Sequence, residues 1–324
     1  MTSSPPVTWL LPVRNGMPYV RSTLESIVNQ SYRNHRIIAW DNGSTDGTLA
    51  LLNEYIPARI PGVVVSGVPL RLGPTLAEAL KMADTELCAV VHGDDINHPW
   101  RLARQVAFMQ SHPHVGILGG QSDFIDESGN AISGWSFPQD DATLRWQARW
   151  SPPFMHANVM FRRNVILEAG NYRDYQPYED TELWMRAAPL TEFANLADTI
   201  IQYRRSSESQ TGRTLDFKPI LREAAKVNAG ILFPGVPAQE TMAFWEASYP
   251  FHFPGDWPRS APFRYLGYLR KAAALLARQC NKPETYFSNT ALFSEQRYNL
   301  QRIWMESHGL GALRRVRVWL AGRS

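Results

Sequence analysis

The stretch Leu87-Cys88-Ala89-Val90-Val91-His92-Gly93-Asp94-Asp95 decides the fold of this chain. It is a short apolar run that ends in a turn with one glycine and two carboxylates. A run of this length indicates a buried strand, and two earlier runs also end in polar, glycine-containing turns, at residues 12–16 and 41–46. Because ligands bind an open α/β sheet at the carboxyl ends of its strands, the sequence predicts a nucleotide or metal site where these three turns meet.

Short β-branched runs alternate with helical periodicity through the first hundred residues, which predicts βαβ units and a mostly parallel sheet. Strands are predicted over residues 8–13, 36–41, 62–65 and 86–91. After residue 115 the pattern predicts further strands of a mixed sheet, over residues 115–120, 134–137, 157–162, 193–196 and 200–203. A helix is expected to begin at Glu179, and helical segments replace strands from about residue 216. The predicted fold class is therefore α/β with a helical C-terminal extension.

Length and composition exclude several classes of protein. The chain has 324 residues, of which 44% are hydrophobic, as in soluble globular proteins, and no apolar stretch approaches the roughly 20 residues of a membrane span. The start has no basic segment followed by an apolar one, so we expect no secretory signal. The two cysteines, Cys88 and Cys280, predict neither a disulfide framework nor a zinc site. A cytoplasmic location is expected.

Positive charge is concentrated near the C-terminal end. Residues 264–324 contain eleven Lys and Arg against three Glu, whereas residues 1–263 contain 22 basic and 27 acidic residues. This asymmetry predicts an anionic partner for the tail, either a membrane surface or a phosphorylated acceptor. Within residues 313–321, apolar side chains share one helix face and three arginines lie largely elsewhere, which is typical of an interfacial helix on an anionic leaflet. A terminal helix docked on the body of the protein is the alternative.

In order and spacing, the three turns resemble those of the inverting nucleotide-sugar glycosyltransferases, the large family with the glycosyltransferase-A fold. The resemblance covers about residues 7–210 and includes the segments His156-Ala157-Asn158-Val159-Met160-Phe161-Arg162-Arg163 and Tyr178-Glu179-Asp180-Thr181-Glu182. It implies a Rossmann-like, mixed and mostly parallel sheet in a catalytic domain over residues 1–215, followed by a basic helical extension over residues 216–324. The nucleotide-binding half would extend to about residue 115 and the acceptor half from about 116. The Gln-x-x-Arg-Trp motif of processive synthases does not occur in the sequence, which favours one transfer per encounter.

The resemblance assigns the first turns of the sheet to a nucleotide-sugar donor. The exposed backbone of residues 12–16 can approach a base or ribose, Asp41 can accept from a base N–H or a ribose hydroxyl, and the Arg204 guanidinium suits a diphosphate. By itself, Asp41-Asn42-Gly43-Ser44 also fits a strand-to-helix turn with a helix cap. The residues implied in donor binding are Pro12, Arg14, Asn15, Asp41, Arg71, His92, Asp94 and Arg204.

Asp94 and Asp95 match the metal segment of the family, so the resemblance implies Mn²⁺ or Mg²⁺ as a cofactor. Such ions prefer hard oxygen ligands, and one or two carboxylates together with substrate phosphates often hold them. His92 stands where the family usually has an aspartate, so a neutral imidazole replaces a charge there, and histidine tolerates manganese better than magnesium. The alternative is that the two carboxylates only begin the next helix.

The resemblance makes Asp180 the general base that removes the proton of the acceptor hydroxyl. A position at a helix start fixes its direction, and neighbouring carboxylates can raise its pKa towards the working pH. An isolated acidic helix start can equally be a purely structural feature. Glu182 and Arg186, one helical turn apart, are interpreted as an ordinary surface pair.

Aromatic and polar residues between and around these segments are candidates for acceptor contacts. Sugars stack on aromatic faces, although large aromatic side chains more often belong to a core. The acceptor residues expected are Trp135, His156 and Glu179, with Trp146 and Trp150 as further candidates for stacking.

The predicted function is transfer of a sugar from a nucleoside-diphosphate-sugar to a hydroxyl of a saccharide or lipid-linked acceptor, with inversion of the anomeric centre. Assembly of a surface polysaccharide or of a lipopolysaccharide-type glycan is the expected setting. No Gly-x-Gly-x-x-Gly follows the first strand, which disfavours a nicotinamide enzyme, and no nucleic-acid partner is expected. A catalytically inactive nucleotide-sugar-binding or scaffold subunit is the alternative, and the retained Asp94, Asp95 and Asp180 argue against it. The oligomeric state is left open.

Overall fold

A computed structural model of the chain describes residues 4–132, 134, 136–175, 178–206, 218–249 and 261–307. Two compact units make up the chain. The first unit consists of Met1–Ala148 and Pro152–Ala224, and the second of Arg149–Ser151 and Ala225–Ser324. Trp135 and the predicted tail helix over residues 313–321 lie outside the described residues.

One eight-stranded sheet organises the first unit. Its strands are β1 (Val7–Val13), β2 (His35–Asp41), β3 (Gly62–Ser66), β4 (Leu87–Val90), β5 (Ile96–Asn97), β6 (Val115–Ile125), β7 (Met160–Arg162) and β8 (Glu192–Arg204). They are arranged in the order β3-β2-β1-β4-β7-β6-β8-β5. The neighbours β3-β2-β1-β4 and β6-β8 are parallel, whereas β7 is antiparallel to β4 and β6, and β5 is antiparallel to β8. The predicted mixed, mostly parallel sheet is confirmed.

Three of the predicted strand boundaries differ in the structure. The predicted strand over residues 134–137 is wrong for its described residues, since the amide of Gln121 pairs with both backbone groups of Phe137 at 2.7 and 3.2 Å. The segment 157–162 begins in the 3₁₀ helix His156–Asn158 before it enters β7. The predicted strands over 193–196 and 200–203 are one continuous strand, β8.

Helices cover both faces of this sheet, as a buried, mostly parallel sheet requires. In β1, Trp9 and Leu11 belong to one core and Leu10 to the other, as the two-residue period of a strand dictates. The helices of the sheet are α1 (Val20–Val28), α2 (Thr48–Tyr55), α3 (Leu72–Met82), α4 (Arg101–Ser111), α5 (Asp141–Gln147), α6 (Arg163–Glu168) and α7 (Glu179–Ala187). The expected helix start at Glu179 is confirmed.

The C-terminal part of the chain is helical, as predicted. Its helices are α8 (Lys218–Leu232), α9 (Ala238–Ser248), α10 (Ala261–Gln279) and α11 (Ala291–Ser307). Within the second unit the rings of Phe233 and Phe244 lie 5.0 Å apart, and Trp245 Nε1 donates to the Arg149 carbonyl at 2.8 Å. Across the part of the chain that the structure describes, no helix combines the length and apolar character needed to cross a membrane.

Candidate active site

The turns that follow β1 and β2 are tied to each other by hydrogen bonds. Asn15 has a φ of 50°, a left-handed conformation that asparagine adopts more readily than most residues. Its Oδ1 accepts from the Thr45 N–H at 2.9 Å, and the Met17 N–H donates to Asp46 Oδ2 at 2.9 Å. Asn15, an expected donor contact, therefore also holds the two turns in register.

Asp41 ends β2 and is only 1% exposed. Its Oδ2 accepts from the Ser44 N–H at 3.1 Å, whereas Oδ1 has no hydrogen-bond partner among the described residues. The N-cap of α2 is Gly47, without a side-chain cap, but Asp46 Oδ1 accepts from the Thr48 N–H at 3.1 Å, so the alternative of a strand-to-helix turn also fits this segment. Of the neighbouring donor candidates, Pro12 lies buried in β1 and Arg14 is exposed.

Asn42 connects this edge of the sheet to the start of α3. Its buried amide accepts from the Leu70 N–H at 3.1 Å and donates to Thr75 Oγ1 at 3.0 Å. Arg71, the next donor candidate, precedes α3 and lies 3.3 Å from Asp174 Oδ1, with 61% of its side chain exposed. The start of α3 thus faces the segment that leads into α7.

The candidate metal segment follows β4. Ligand atoms of His92, Asp94 and Asp95 all lie within 4.8 Å of one another. Asp95 is fully buried; its Oδ1 accepts from the Arg204 N–H at 2.9 Å, and its Oδ2 has no hydrogen-bond partner among the described residues. Burial, and secondly the neighbouring Asp94, raise the pKa of Asp95 above its usual range. A cation beside these carboxylates would offset both effects.

Burial also decides the charge of His92. It lowers the pKa of this side chain to about 4, helped by the nearby His156. At neutral pH the imidazole is therefore uncharged, which is the form that binds metal ions. Two carboxylates and a neutral imidazole fit a divalent cation, and manganese suits the mixed oxygen and nitrogen donors.

Arg204 holds the metal segment through the main chain. The residue is 4% exposed. Its Nε donates to the Asp94 carbonyl at 3.0 Å, its Nη1 donates to the Asp126 carbonyl at 2.9 Å, and the guanidinium lies 4.4 Å from the centroid of the Tyr19 ring. The arrangement favours a positioning role for Arg204 over the expected direct contact with a diphosphate.

Arg101 is a second buried guanidinium beside this segment, and sequence reasoning missed it. Its Nη2 donates to the Val90 carbonyl at 2.8 Å and its Nη1 to the Ala157 carbonyl at 2.9 Å, while the Trp9 ring lies 4.9 Å away. Burial lowers the pKa of Arg101 to about 9, so the group stays charged at neutral pH. An arginine in the first turn of a helix is ordinarily solvated, and no local pattern distinguishes this one.

The start of α7 carries the candidate base. Asp180 Oδ1 accepts from the Thr181 N–H at 2.6 Å, and burial raises the pKa of Asp180 to about 6. Glu179 is 2% exposed, and burial together with the charge of Asp180 raises its pKa to about 8. The N-cap of α7 is Tyr178, without a side-chain cap. Neither acidic residue therefore caps the helix, and Asp180 is the more easily ionised of the two.

The order of these segments along the chain matches a known family. Residues 8–170, half of the chain, match the sequence model of the family described as glycosyl transferase family 2. The chain belongs to this family. As a family 2 glycosyltransferase it is an enzyme that transfers a sugar. The matched range includes the donor turns and the metal segment and ends before α7.

Two curated relatives illustrate the similarity in sequence. The putative glycosyltransferase EpsE of Bacillus subtilis (strain 168) is 30% identical over 193 residues, which cover 57% of this chain and 68% of EpsE. The amylovoran biosynthesis glycosyltransferase AmsE of Erwinia amylovora is 29% identical over 187 residues, which cover 57% of this chain and 70% of AmsE.

A solved structure confirms the predicted fold. Residues 1–349 of S. aureus TarS, in complex with UDP-GlcNAc, superpose on this glycosyltransferase with a TM-score of 0.61 at 15% identity, over 94% of this chain and 92% of that fragment. The glycosyltransferase-A fold predicted from the strand-end turns is therefore correct.

Several site residues of this glycosyltransferase carry buried polar atoms without a hydrogen-bond partner among the described residues. Buried polar atoms are nearly always bonded, so such exceptions require an explanation. Such atoms also occur outside the candidate site, on Trp9, Trp40 and Asn195 for example, so they support a bound ligand or ion only where several belong to one site. The atoms of the candidate site are Asp41 Oδ1, His92 Nε2, Asp95 Oδ2 and Glu179 Oε2.

The interpretation of Glu182 and Arg186 as a surface pair is wrong. Glu182 is fully buried and Arg186 is 6% exposed. The guanidinium donates to both carboxylate oxygens, at 2.8 and 2.6 Å, and to the carbonyls of Ala169 and Asn171. The side of α7 that carries this pair is therefore buried. Through the two carbonyls, Arg186 joins the helix to the preceding segment of the chain. The apolar neighbours Leu183-Trp184-Met185 were the sequence signal for this burial.

The aromatic acceptor candidates are corrected in the same way. Trp146 and Trp150 are fully buried, so neither offers a face to a sugar. His156 is 7% exposed, and its Nε2 lies 3.1 Å from the Tyr172 hydroxyl. The contact with Tyr172 occupies Nε2 and argues against the expected direct contact with an acceptor, whereas Glu179 Oε2 has no hydrogen-bond partner among the described residues.

Proposed function

We propose that this glycosyltransferase transfers a sugar from a nucleoside-diphosphate-sugar to a hydroxyl of a saccharide or lipid-linked acceptor, with inversion of the anomeric centre. The observation that carries the proposal is the set of partnerless buried oxygens on Asp41, Asp95 and Glu179, one in each segment expected to contact donor, metal or acceptor. The UDP-GlcNAc complex of TarS supports a nucleotide-sugar donor.

Asp180 acts as the general base in this proposal. The acceptor hydroxyl attacks the anomeric carbon, its proton passes to the Asp180 carboxylate, and the bond from the anomeric carbon to the diphosphate oxygen breaks. The nucleoside diphosphate leaves with the electron pair. A base with a pKa of about 6 is ionised at neutral pH and still basic enough to take the proton. Direct displacement inverts the anomeric centre.

Glu179 holds the acceptor next to that base. Its raised pKa, about 8, keeps the carboxyl protonated at neutral pH. A protonated carboxyl both donates and accepts hydrogen bonds, so it can orient a sugar hydroxyl without adding a second negative charge beside Asp180.

Asp94 and Asp95 would hold a divalent cation, Mn²⁺ or Mg²⁺, with His92 as a neutral neighbour. When bound, such an ion neutralises the charge that develops on the leaving diphosphate. The protein contributes the fixed positions of the ligands, because Arg204 holds the Asp94 carbonyl and the Asp95 side chain.

The setting that we propose is assembly of a surface polysaccharide or lipopolysaccharide-type glycan, which the amylovoran biosynthesis role in the name of AmsE supports. Residues 1–215 would form the catalytic domain and residues 216–324 a basic extension. The charge asymmetry of the sequence supports peripheral attachment of this extension to an anionic leaflet at the cytoplasmic face.

The decisive experiment is a transfer assay with a panel of radiolabelled nucleotide-sugars, with and without manganese. We expect one donor to be turned over in the presence of manganese, and the Asp180→Asn variant to bind that donor without turnover. A wild-type chain that binds a nucleoside diphosphate, measured as a rise in melting temperature, but never hydrolyses or transfers the sugar is instead the inactive binding subunit.

The attachment to membranes has its own test. The full chain and a chain ending at Gly311 are sedimented with anionic vesicles at low and high salt. Since each arginine near a charged surface contributes only about 1 kcal/mol, we expect the full chain to pellet at low salt, to be released at high salt, and to lose binding on truncation. Equal pelleting of both chains would leave no membrane role for the tail.

A further inference from the structure

His156 lies where three segments of the first unit meet. Its ring centroid is 5.3 Å from that of His92 at an interplanar angle of 80°, and 6.2 Å from that of Trp184 in α7. Its Nε2 lies 3.1 Å from the hydroxyl of Tyr172, which precedes α7. The buried His156 side chain therefore contacts the metal segment, the chain that precedes α7, and α7 itself, the helix that carries the candidate base (the base helix).

Hydrogen bonds from buried side chains fix the backbone on which this ring stands. Arg101 Nη1 donates to the Ala157 carbonyl at 2.9 Å, and Gln105 Nε2 donates to the Asn158 carbonyl at 2.8 Å. Asn158 Nδ2 in turn donates to the Gly120 carbonyl at 2.8 Å. All three of these donor side chains are fully buried. The 3₁₀ helix that carries His156 is thus a fixed support.

Tyr172 connects this support to the candidate base. It is 4% exposed, and Arg186 of α7 donates to the carbonyl of its neighbour Asn171 at 2.8 Å. Burial first, and then the charges of Asp180 and Glu179, raise the pKa of Tyr172. The phenol is therefore protonated at neutral pH and lies within the electrostatic reach of both carboxylates.

We propose that His156 and Tyr172 are positioning residues that set the orientation of the His92 ring and couple it to the base helix. The inference rests on the proposed function, because it makes His92 part of the donor and metal site. His92 Nε2 has no hydrogen-bond partner among the described residues, so packing against His156 orients the ring. Residues that orient the groups around a metal typically change affinity or activity by about 10–100-fold when mutated.

The first test reads the free protein. In Tyr172→Phe, which removes one oxygen and keeps the ring, we expect the imidazole resonances of both His156 and His92 to shift in ¹⁵N-histidine spectra. His92→Ala and His156→Gln spectra assign the two signals. The control is Tyr32→Phe, which also loses a partly buried hydroxyl bond, to the Pro5 carbonyl. A shift of His156 alone would overturn the coupling.

The second test separates positioning from stability. Tyr172→Phe should raise the donor KM and the manganese concentration for half-maximal transfer by about tenfold, whereas Tyr32→Phe should leave both unchanged. In a His92→Ala background the same Tyr172→Phe change should alter them by less than about twofold, because the ring to be positioned is gone. Equal effects in both backgrounds would overturn the proposal. If the wild-type chain is inactive, the proposed function is wrong. The histidine resonances of the free protein still test whether Tyr172 and His156 orient the His92 ring.

Discussion

Glu179 and Glu182 both lie in the first turn of helix α7 and are equally well buried, but only one of them is compensated by counter-ions. Glu182 is fully buried and forms salt bridges with Arg173 and Arg186. Glu179 is 2% exposed and forms no salt bridge in the described chain. Burial by itself therefore does not mark a reactive carboxylate. The absence of a counter-ion does, because an uncompensated carboxyl in a buried place holds its proton more tightly.

Asp95 of the metal segment resembles Glu179 more than Glu182, since its Oδ2 has no hydrogen-bond partner in the described chain and its pKa is raised. Arg101 and Arg204 act on it electrostatically, and burial still raises its pKa. Removal of an uncompensated carboxylate should therefore cost activity, and removal of a compensated one should cost stability.

The largest effect is expected at the metal segment. Asp95→Ala and Asp94→Ala should each reduce transfer by about 1000-fold or more, since a metal ion contributes several kcal/mol to charge stabilisation. A chelator should silence the wild-type chain to the same extent, and exposed Glu54→Ala serves as a control. His92→Asp should tighten manganese binding, because it adds a charge. If the wild-type chain stays fully active in chelator and both aspartate variants remain active, Asp94 and Asp95 do not hold a metal ion that the reaction needs.

The next effect is expected at the base. Asp180→Asn should lower the rate by about 10²–10⁴-fold, the usual contribution of general-base catalysis. Donor binding, measured by calorimetry, should survive because the change lies outside the donor turns. Normal turnover by this variant would return the base role to Glu179.

The pH dependence tests Asp180 and Glu179 together. Asp180 must be ionised, so kcat/KM should fall about tenfold per pH unit below its pKa of about 6. Glu179 must keep its proton, so kcat/KM should also fall above about pH 8. Asp174 and Arg71 act on Glu179 in opposite directions. Glu179→Gln should remove the alkaline limb only, and an unchanged alkaline limb in that variant would contradict the assignment.

The smallest effect on turnover is expected at Glu182. Glu182→Gln should leave the rate per folded molecule within about twofold of wild type, because the side chain supports the helix without facing the reaction. Since breaking a buried pair by removing one partner costs about 3–5 kcal/mol, chemical denaturation should show a large loss in the free energy of unfolding. If Glu182→Gln is as stable as wild type but has little activity, then Glu182 acts in the reaction and the contrast with Glu179 is wrong.

Much of the sheet and several site positions could be predicted because their signals are local. The runs that form β1, β2 and β4 are apolar and end in turns that break the strand, so their carboxyl ends can be located without knowing the packing. Asp94 and Asp95 lie together because they are adjacent in sequence. The helix start at Glu179 follows from an acidic first turn before an apolar run.

Other predictions failed where the decisive partner is distant in sequence. The i, i+4 spacing of Glu182 and Arg186 is the same for an exposed and a buried pair, and only the covering chain distinguishes them. The sequence predicts a strand over residues 134–137, yet the backbone groups of Phe137 pair with the Gln121 side chain.

The family, the α/β class, the strand ends that carry Asp41, Asp94 and Asp95, and the helix start that carries Asp180 follow from the sequence alone, because strand period, turn chemistry and helix-start signals act over a few residues. Tertiary structure alone decided which charges are compensated. Arg101 and Arg204 reach main-chain carbonyls far along the chain, and His156 joins the metal segment to α7 through Tyr172. Such contacts depend on how whole elements pack, and no spacing within one element encodes them.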